Sequence, residues 1–277
     1  MAGNMMLFMD PPSHTRYRKL VNRGFTPRMI AALEVHVREL TVAIVDAARA
    51  KGECDFVVDV AAELPLEVIA ELLGVPGEDR HKLFDWSNRM VGSEDPEYQV
   101  SDEHVTQAQV EMFLYAQELA TQRRAEPRHD IVSTLLAAEI DGDQLSDMDF
   151  NLFFMLLSVA GNETTRNAIA HGMNAFLDHP DQWALLVSDP DRYIGGAVEE
   201  ILRWASPVMF FRRNCTRDIE LGGQLIREGE KISLWYISGN RDESVFDEPF
   251  RFDITRDPNP HIAFGGGGPH FCLGAQL

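Results

Sequence analysis

The chain has 277 residues, enough to bury a large core, and its hydrophobic fraction of 45% is that of an ordinary globular protein. A formal net charge of −19 argues against nucleic acid as a partner, because a polyanion would be repelled. No run is long and apolar enough to span a membrane, no secretory leader is expected from the short, non-basic start, and three widely spaced cysteines (Cys54, Cys215, Cys272) suit a reducing cytoplasm better than a disulfide framework.

Asp10-Pro11-Pro12-Ser13-His14 reads as a turn that starts a short helix, with proline preset for the opening position. His14 and Arg18, four apart, share one face of it. Arg16, Arg18, Lys19, Arg23 and Arg28 form a basic patch on an acidic chain, by default a solvated face. Thr26-Pro27 opens a helix with Ile30, Leu33, Val37, Leu40, Ile44 and Ala47 at three-to-four spacing. Asp59 is expected to cap the next helix, Pro65 to kink it and Gly74 to end it. Val75-Pro76 starts another, and Ser101 caps a long one with Val105, Ala108, Met112, Ala116 and Leu119 facing inward. Gly92–Gln99 and Glu126–Asp130 read as loops without chemistry.

From Leu145 to Leu177 there is no proline, and Ser146 with Asp149 makes a capping-box-like start. One helix of roughly 45–50 Å is expected. It should be buried where Phe153–Ala160 is apolar nearly all round. Gly161, Asn162, Glu163, Thr164 and Thr165 fall into that core. A buried carboxylate beside hydroxyls is costly unless paired or used, so a local network that bends the helix and a catalytic group both stay open.

Pro180 and Asp191 introduce two further helices, the second carrying Glu200 and Arg203 at i, i+3, ordinarily a weak pair. Val208–Thr216, Ile219–Leu221 and Lys231–Ile237 are rich in β-formers, with turns at Gly222-Gly223 and Glu228-Gly229. The fold class is mainly α, with a long central helix and a small antiparallel sheet late in the chain. Phe246, Pro249, Phe252 and Arg256 then make an FxxPxxFxxxR segment.

The chain closes on His261-Ile-Ala-Phe264-Gly265-Gly-Gly-Gly-Pro-His270-Phe-Cys272-Leu-Gly274. Four glycines let backbone amides approach whatever the sulfur binds. Leu273–Leu277 reads as the first turn of a helix whose dipole favours a thiolate, a credible axial ligand for haem iron. A lone cysteine is more often a small buried hydrophobe. A phosphate cradle lacks the GK[ST] that should follow, and zinc held by His261, His270 and Cys272 lacks paired short spacings.

Five segments in order, DPPxHxxxR, AGNETT, ExxR, FxxPxxFxxxR and the cysteine loop, together resemble the cytochrome P-450 family over essentially the whole chain. The loop departs by one residue: Phe264 lies eight before Cys272, one more than in the commonest form. The resemblance implies haem b ligated by Cys272, propionates held by His14, Arg18, Arg213 and His270, and Ala160, Gly161, Phe264, Gly265 and Gly274 against the cofactor. Thr164 would hold the distal oxygen and Glu163 would relay protons, whereas Glu200, Arg203 and Arg256 would lock the core. ELPLEVIAELLGV, KLFDWSN, SEDPEY and DPNPHIAFGGGG resemble more narrowly the bacterial hydroxylases of the cholesterol or cholestenone side chain.

The implied activity is oxygen insertion from O2 into a terminal methyl of a hydrophobic substrate. Leu156, Val159, Ala160, Val208, Met209 and Phe210 would form an apolar wall for it. Electrons would come from a ferredoxin-type donor with an NAD(P)H-dependent reductase. Two rivals stay open: a P-450 hydroxylase of another lipid, terpene or macrolide, and a non-catalytic haem-binding or sensor protein. The family continues on both sides of this sequence, so residues 1–277 are expected to be a single P-450 domain, incomplete at both ends, that binds haem poorly by itself.

Overall fold

The computed structural model describes residues 5–91, 100–128, 130–140 and 142–277. The expected loop Gly92–Gln99, residue 129 of the second expected loop and the side chain of Arg28 in the basic patch lie outside the described residues. The chain divides into two compact units, Met1–Arg166 with Gly268–Leu277, and Asn167–Gly267.

The first unit is helical. It holds α1 (Ser13–Val21), α2 (Pro27–Lys51), α3 (Glu63–Leu72), α4 (Arg80–Val91), α5 (Asp102–Ala125), α6 (Ile131–Leu136) and the first two-thirds of α7 (Asp147–Asp178). Local chemistry starts most of them. The Thr26 hydroxyl accepts from Met29 N–H with Pro27 leading α2, and Ser101 accepts from His104 N–H ahead of α5. Ser146 and Asp149 exchange bonds, each side chain accepting the other's N–H at 3.2 Å, so α7 begins with a capping box that uses Asp.

Two expectations about α3 are corrected. Asp59 does not cap it: the cap-like role falls to Asp55, whose carboxylate accepts from Val57 and Val58 N–H at 2.9 and 3.0 Å. Asp59 sits inside a short π-helical turn, Val57–Ala61, and accepts from Lys51 and from Asp55 N–H. Pro65 is in the first turn of α3, where a missing N–H breaks no helical bond, so it does not act as a mid-helix kink. Gly74, at φ +64°, ends the element. The apolar faces converge on Leu20, Ile69, Leu73, Leu83, Met112, Ile131, Leu135, Phe150 and Phe154. The second loop also carries more structure than its composition suggests. Asp130 caps α6 through Ser133 N–H and takes a bond from buried Arg123, which also reaches the Gly74 carbonyl.

The second unit holds the end of α7, α8 (Pro180–Ser188), α9 (Pro190–Ala205), β1 (Phe210–Asn214), β2 (Ile219–Leu221), β3 (Gln224–Ile226), β4 (Lys231–Trp235) and α10 (Tyr236–Gly239). Instead of one sheet there are two antiparallel ladders, β1 with β4 and β2 with β3. Gly222 and Gly223, both at positive φ, make the tight turn that folds β2 back on β3. Phe176, Leu186, Ala197, Phe252 and Ile254 form its core, with Phe252 edge-on to Phe176 and Trp204.

Adjacent glycines on α9 differ sharply in surroundings. A Cβ at Gly196 would lie 2.3 Å from the Ile254 carbonyl oxygen, a backbone atom that cannot swing aside, whereas one at Gly195 would meet nothing. Gly196→Ala should therefore destabilise by about 1–3 kcal/mol through overpacking. Gly195→Ala should stabilise by about 0.5–1 kcal/mol through helix propensity. Urea midpoints of the two variants check the opposite signs.

Candidate functional site

The site is best built from α1 and the closing loop, which belong to the same unit. His14 is 1% exposed, and neither ring nitrogen has a protein partner. Its ring lies 4.0 Å from that of His270, tilted by 36°. Arg18, one turn along α1, donates Nε–H to Asn22 Oδ1 at 3.0 Å and is close enough to Cys272 for the two to interact electrostatically. One helical face and one loop thus bring together His14, Arg18, His270 and Cys272. Leu273, next to the cysteine, packs on the helical core.

The electrostatics are those of an anion site. Desolvation lowers the pKa of His14, and the neighbouring His270 and Arg18 lower it further against a smaller opposite push from Asp10. The unfolded chain therefore takes up a proton that the folded His14 resists. Stability should fall as pH drops from about 6.5, the ordinary histidine value, through the depressed value of His14, and be unaffected by this group at higher pH. Urea midpoints near neutrality and about two pH units lower should show that slope flattened in His14→Gln.

The expected helix after Cys272 is not formed. Residues 273–276 make turns, with Leu277 N–H donating to the Gly274 carbonyl at 2.9 Å, because one isolated turn does not offset the cost of helix nucleation. The expected lowering of the thiol pKa is reversed as well. Desolvation pushes the Cys272 thiol up, against the Gly274 N–H and the Arg18 guanidinium, which both favour thiolate. Solvent still reaches the residue. A positive metal bound to the sulfur would reverse that balance.

The glycine run bends as a run of glycines can: Gly265, Gly267 and Gly268 sit at φ +95°, +93° and +81°. No Cβ placed at Gly266, Gly267, Gly268 or Gly274 would touch anything within 4 Å, so this backbone is open to a close neighbour. Its upstream end is pinned. His261 Nδ1 accepts from Ala263 N–H, which leaves Nε2–H to donate to Glu199 at 2.8 Å, and Phe264 packs near the His261 ring. Asn240 accepts Ile262 N–H and donates to Ser206 Oγ, both at 2.8 Å. No spacing in the sequence points to Asn240.

On α7, Phe150–Met155 are buried, but from Leu156 onward one face opens. Leu156, Val159, Gly161, Glu163 and Thr164 are half-buried and Ala160 is exposed, while Ser158, Asn162 and Arg166 on the other face are buried. A Cβ on Gly161 would collide with Ile69, so glycine there lets α7 press against α3. Thr164 Oγ–H donates to the Ala160 carbonyl at 2.7 Å, leaving the hydroxyl lone pairs to accept from outside the helix. Glu163 is ion-paired with Arg166, a partner one turn away that the i, i+3 spacing could have revealed. Asn162 is 1% exposed with no protein partner for either amide atom.

The remaining expected residues lie in the second unit. Arg213 is exposed on β1 and bonds the Arg212 carbonyl. Val208 is half-buried, and Met209 and Phe210 are exposed, Phe210 stacking on Trp235 at 4.7 Å. Glu200 and Arg203 are fully buried. All five guanidinium donors of Arg203 are used: two on the Glu200 carboxylate at 2.7 Å, two on the carbonyls of Asn240 and Pro249 at 2.8 Å, and one on Arg251 O at 3.1 Å. Glu200 also accepts from Asp253 N–H and Asn259 Nδ2, with Arg256 Nε at 3.3 Å. Phe246 lies under the Arg203 guanidinium at 5.4 Å.

Among the described residues no group of three or more His, Cys, Asp and Glu side chains is placed to hold a metal ion, so the zinc alternative has no ligand set. A single sulfur can ligate only a metal that arrives with other ligands. One thiol, an unpartnered buried imidazole, a second imidazole, a guanidinium and an open glycine backbone fit a metal macrocycle bearing carboxylates. No described helix is long and apolar enough to cross a membrane.

Known proteins resemble the chain over nearly all of its length. A steroid C26-monooxygenase of Mycolicibacterium smegmatis is 50% identical over 99% of this chain and 63% of its own length. A methyl-branched lipid omega-hydroxylase of Mycobacterium bovis is 45% identical, over 98% of this chain and 64% of its own. A Mycobacterium marinum cytochrome P450 solved with pseudoionone superposes with a TM-score of 0.93 at 47% identity, over 99% of this chain and 67% of that one. The chain thus spans about three-fifths of the length of the curated relatives it matches. With the Cytochrome P450 family model matched across residues 2–277, the chain belongs to the cytochrome P450 family.

Proposed function

We propose that this chain, residues 1–277 of one domain, carries the haem site of a monooxygenase that hydroxylates the terminal methyl of a steroid side chain. The observation that carries the reading is the cluster of Cys272, Arg18, His270 and unpartnered His14 on one loop and one helix face. Cys272 would ligate the iron of haem b, and His14, Arg18, His270 and Arg213 would take its two carboxylates. Phe264, Gly265 and Gly274 on the loop, with Ala160 and Gly161 on α7, would let the macrocycle approach backbone closely. When bound, haem with a thiolate ligand would supply dioxygen activation and oxygen insertion into an unactivated C–H bond.

The chain's own residues supply the rest. Thr164, its proton committed to Ala160, offers lone pairs to a donor above the helix. Glu163 moves protons inward from solvent. Leu156, Val159, Ala160, Val208, Met209 and Phe210 present apolar surface to an alkyl tail. A ferredoxin-type donor with an NAD(P)H-dependent reductase would supply electrons, in a reducing cytoplasm that suits three free thiols. Hydroxylation of a methyl-branched lipid is the second reading, favoured by the likeness to the omega-hydroxylase.

Titration of the haem-loaded protein with cholestenone and with a methyl-branched fatty acid, followed by product analysis, tests both. The steroid should perturb the haem spectrum at the lower concentration and return with oxygen on its terminal methyl. Preference for the fatty acid would select the second reading, and oxidation of the steroid rings would overturn the substrate class.

A further inference from the structure

The Glu163 carboxylate is not free to choose its position. The guanidinium of Arg166, one turn along α7, grips it, and that guanidinium is in turn bonded by Nη1–H to Asn88 Oδ1 at 3.4 Å. Asn88 comes from α4, so the pair is anchored outside its own helix. The side chains of Arg166 and Glu163 are only 11% and 20% exposed, which shields the ion pair far better than a surface i, i+3 pair. Thr164 is fixed independently by its bond to Ala160. A three-residue relay, Asn88 to Arg166 to Glu163, therefore helps to set where the carboxylate oxygens lie relative to the hydroxyl beside them.

We propose that Arg166 is the positioning residue for Glu163, and that Asn88 orients Arg166. This rests on the reading of Glu163 as the proton-moving group. Proton transfer then has two steps: Glu163 takes a proton from water and releases one inward, with no net change at the carboxyl group. Arg166 holds the carboxylate within reach of both ends. A neutral residue at 166 removes the ion pair that holds the carboxylate on this side, so protons arrive late and reducing equivalents are lost to reduced oxygen species instead of product. Arg166 is itself buried and is not one of the residues that present apolar surface to substrate, so substrate binding should change little.

The test uses the haem-loaded protein with its electron donors, and a haem-independent measurement. In Arg166→Gln, product formed per NAD(P)H consumed should fall several-fold while the spectral dissociation constant for substrate stays within about twofold. Arg166→Lys, which keeps the charge, should recover at least half of the loss, and Asn88→Ala should show the same defect more weakly. The infrared carboxylate band of Glu163, assigned by its disappearance in Glu163→Gln, should shift in Arg166→Gln and return towards its place in Arg166→Lys. Should Arg166→Gln fail to fold, Asn88→Ala decides: an unshifted band together with normal coupling in that variant overturns the proposal. Normal coupling in Arg166→Gln beside a defective Glu163→Gln also overturns it. Normal coupling in Glu163→Gln instead removes the role assigned to Glu163 itself.

Discussion

Arg203→Ala should cost the fold about 3–5 kcal/mol, the usual price of stranding a buried charge. The neighbourhood explains why the value should lie in that range. Truncation removes two bonds to Glu200 and leaves the carbonyls of Asn240 and Pro249 without the Arg203 donor, beside a carboxylate with no solvent access, while the Arg251 carbonyl keeps Arg256. Glu200 keeps Asp253 N–H, Asn259 and Arg256, which soften the loss without neutralising the charge as fully. Since domains are stable by only about 5–15 kcal/mol, the variant should be largely unfolded at mild urea concentrations. Arg203→Met with Glu200→Gln should be less damaging than Arg203→Met alone, because the fully buried carboxylate is then not left ionised without Arg203. Breaking the exposed pair of Arg38 with Glu34 should leave the urea midpoint unchanged. A midpoint for Arg203→Ala within a few tenths of a kcal/mol of the parent would refute the account.

Cys272→Ser should abolish the red-shifted carbon monoxide band that marks thiolate-bound ferrous haem. Changing a group behind a metal ligand typically costs about 10–100-fold in affinity or activity, so removing the ligand should exceed that, and hydroxylation should fall to background. The fold should survive, because Cys272 is exposed and forms no disulfide. Circular dichroism alongside the spectrum separates loss of the ligand from loss of structure. Persistence of the shifted band in Cys272→Ser would mean that another group holds the iron. Arg18→Gln offers a finer measurement on the same sulfur. It removes the smaller of the two influences favouring thiolate and should raise the thiol pKa further, readable from alkylation rate against pH in haem-free protein.

Much of the helical order was legible because caps and proline write it locally. Thr26-Pro27, Ser101 and the Ser146/Asp149 exchange each satisfy N–H groups within three residues, and such bonds need no partner from elsewhere. Asp59 misled because two acidic residues precede α3 and only the three-dimensional course of the π-turn selects Asp55. The split into two ladders was also hidden: β3 is three residues long, and its pairing with β2 depends on a turn of two positive-φ glycines. At the site, spacing alone joins His14 to Arg18 but cannot join either to His270 and Cys272, more than 250 residues later in the sequence. Motif resemblance supplied that link. Asn88 and Asn240 went unseen because their bonds run to residues distant in the sequence, whereas the Arg166 pair with Glu163 could have been read from its spacing.

The wheel of bonds around Arg203 has a bearing on how this segment can vary between homologues. Its acceptors in the stretch after Phe246 are main-chain oxygens, and Arg256 likewise reads the carbonyls of Asp247, Glu248 and Arg251. Every residue type has a carbonyl, so the side chains at 247 and 251 are free to drift as long as the backbone path is kept, whereas Glu248, at φ +45°, holds a left-handed position that β-branched residues resist. A saturation library at exposed positions 247 and 251 should yield mostly folded clones, whereas one at Glu200, Arg203 or Phe252 should yield almost none.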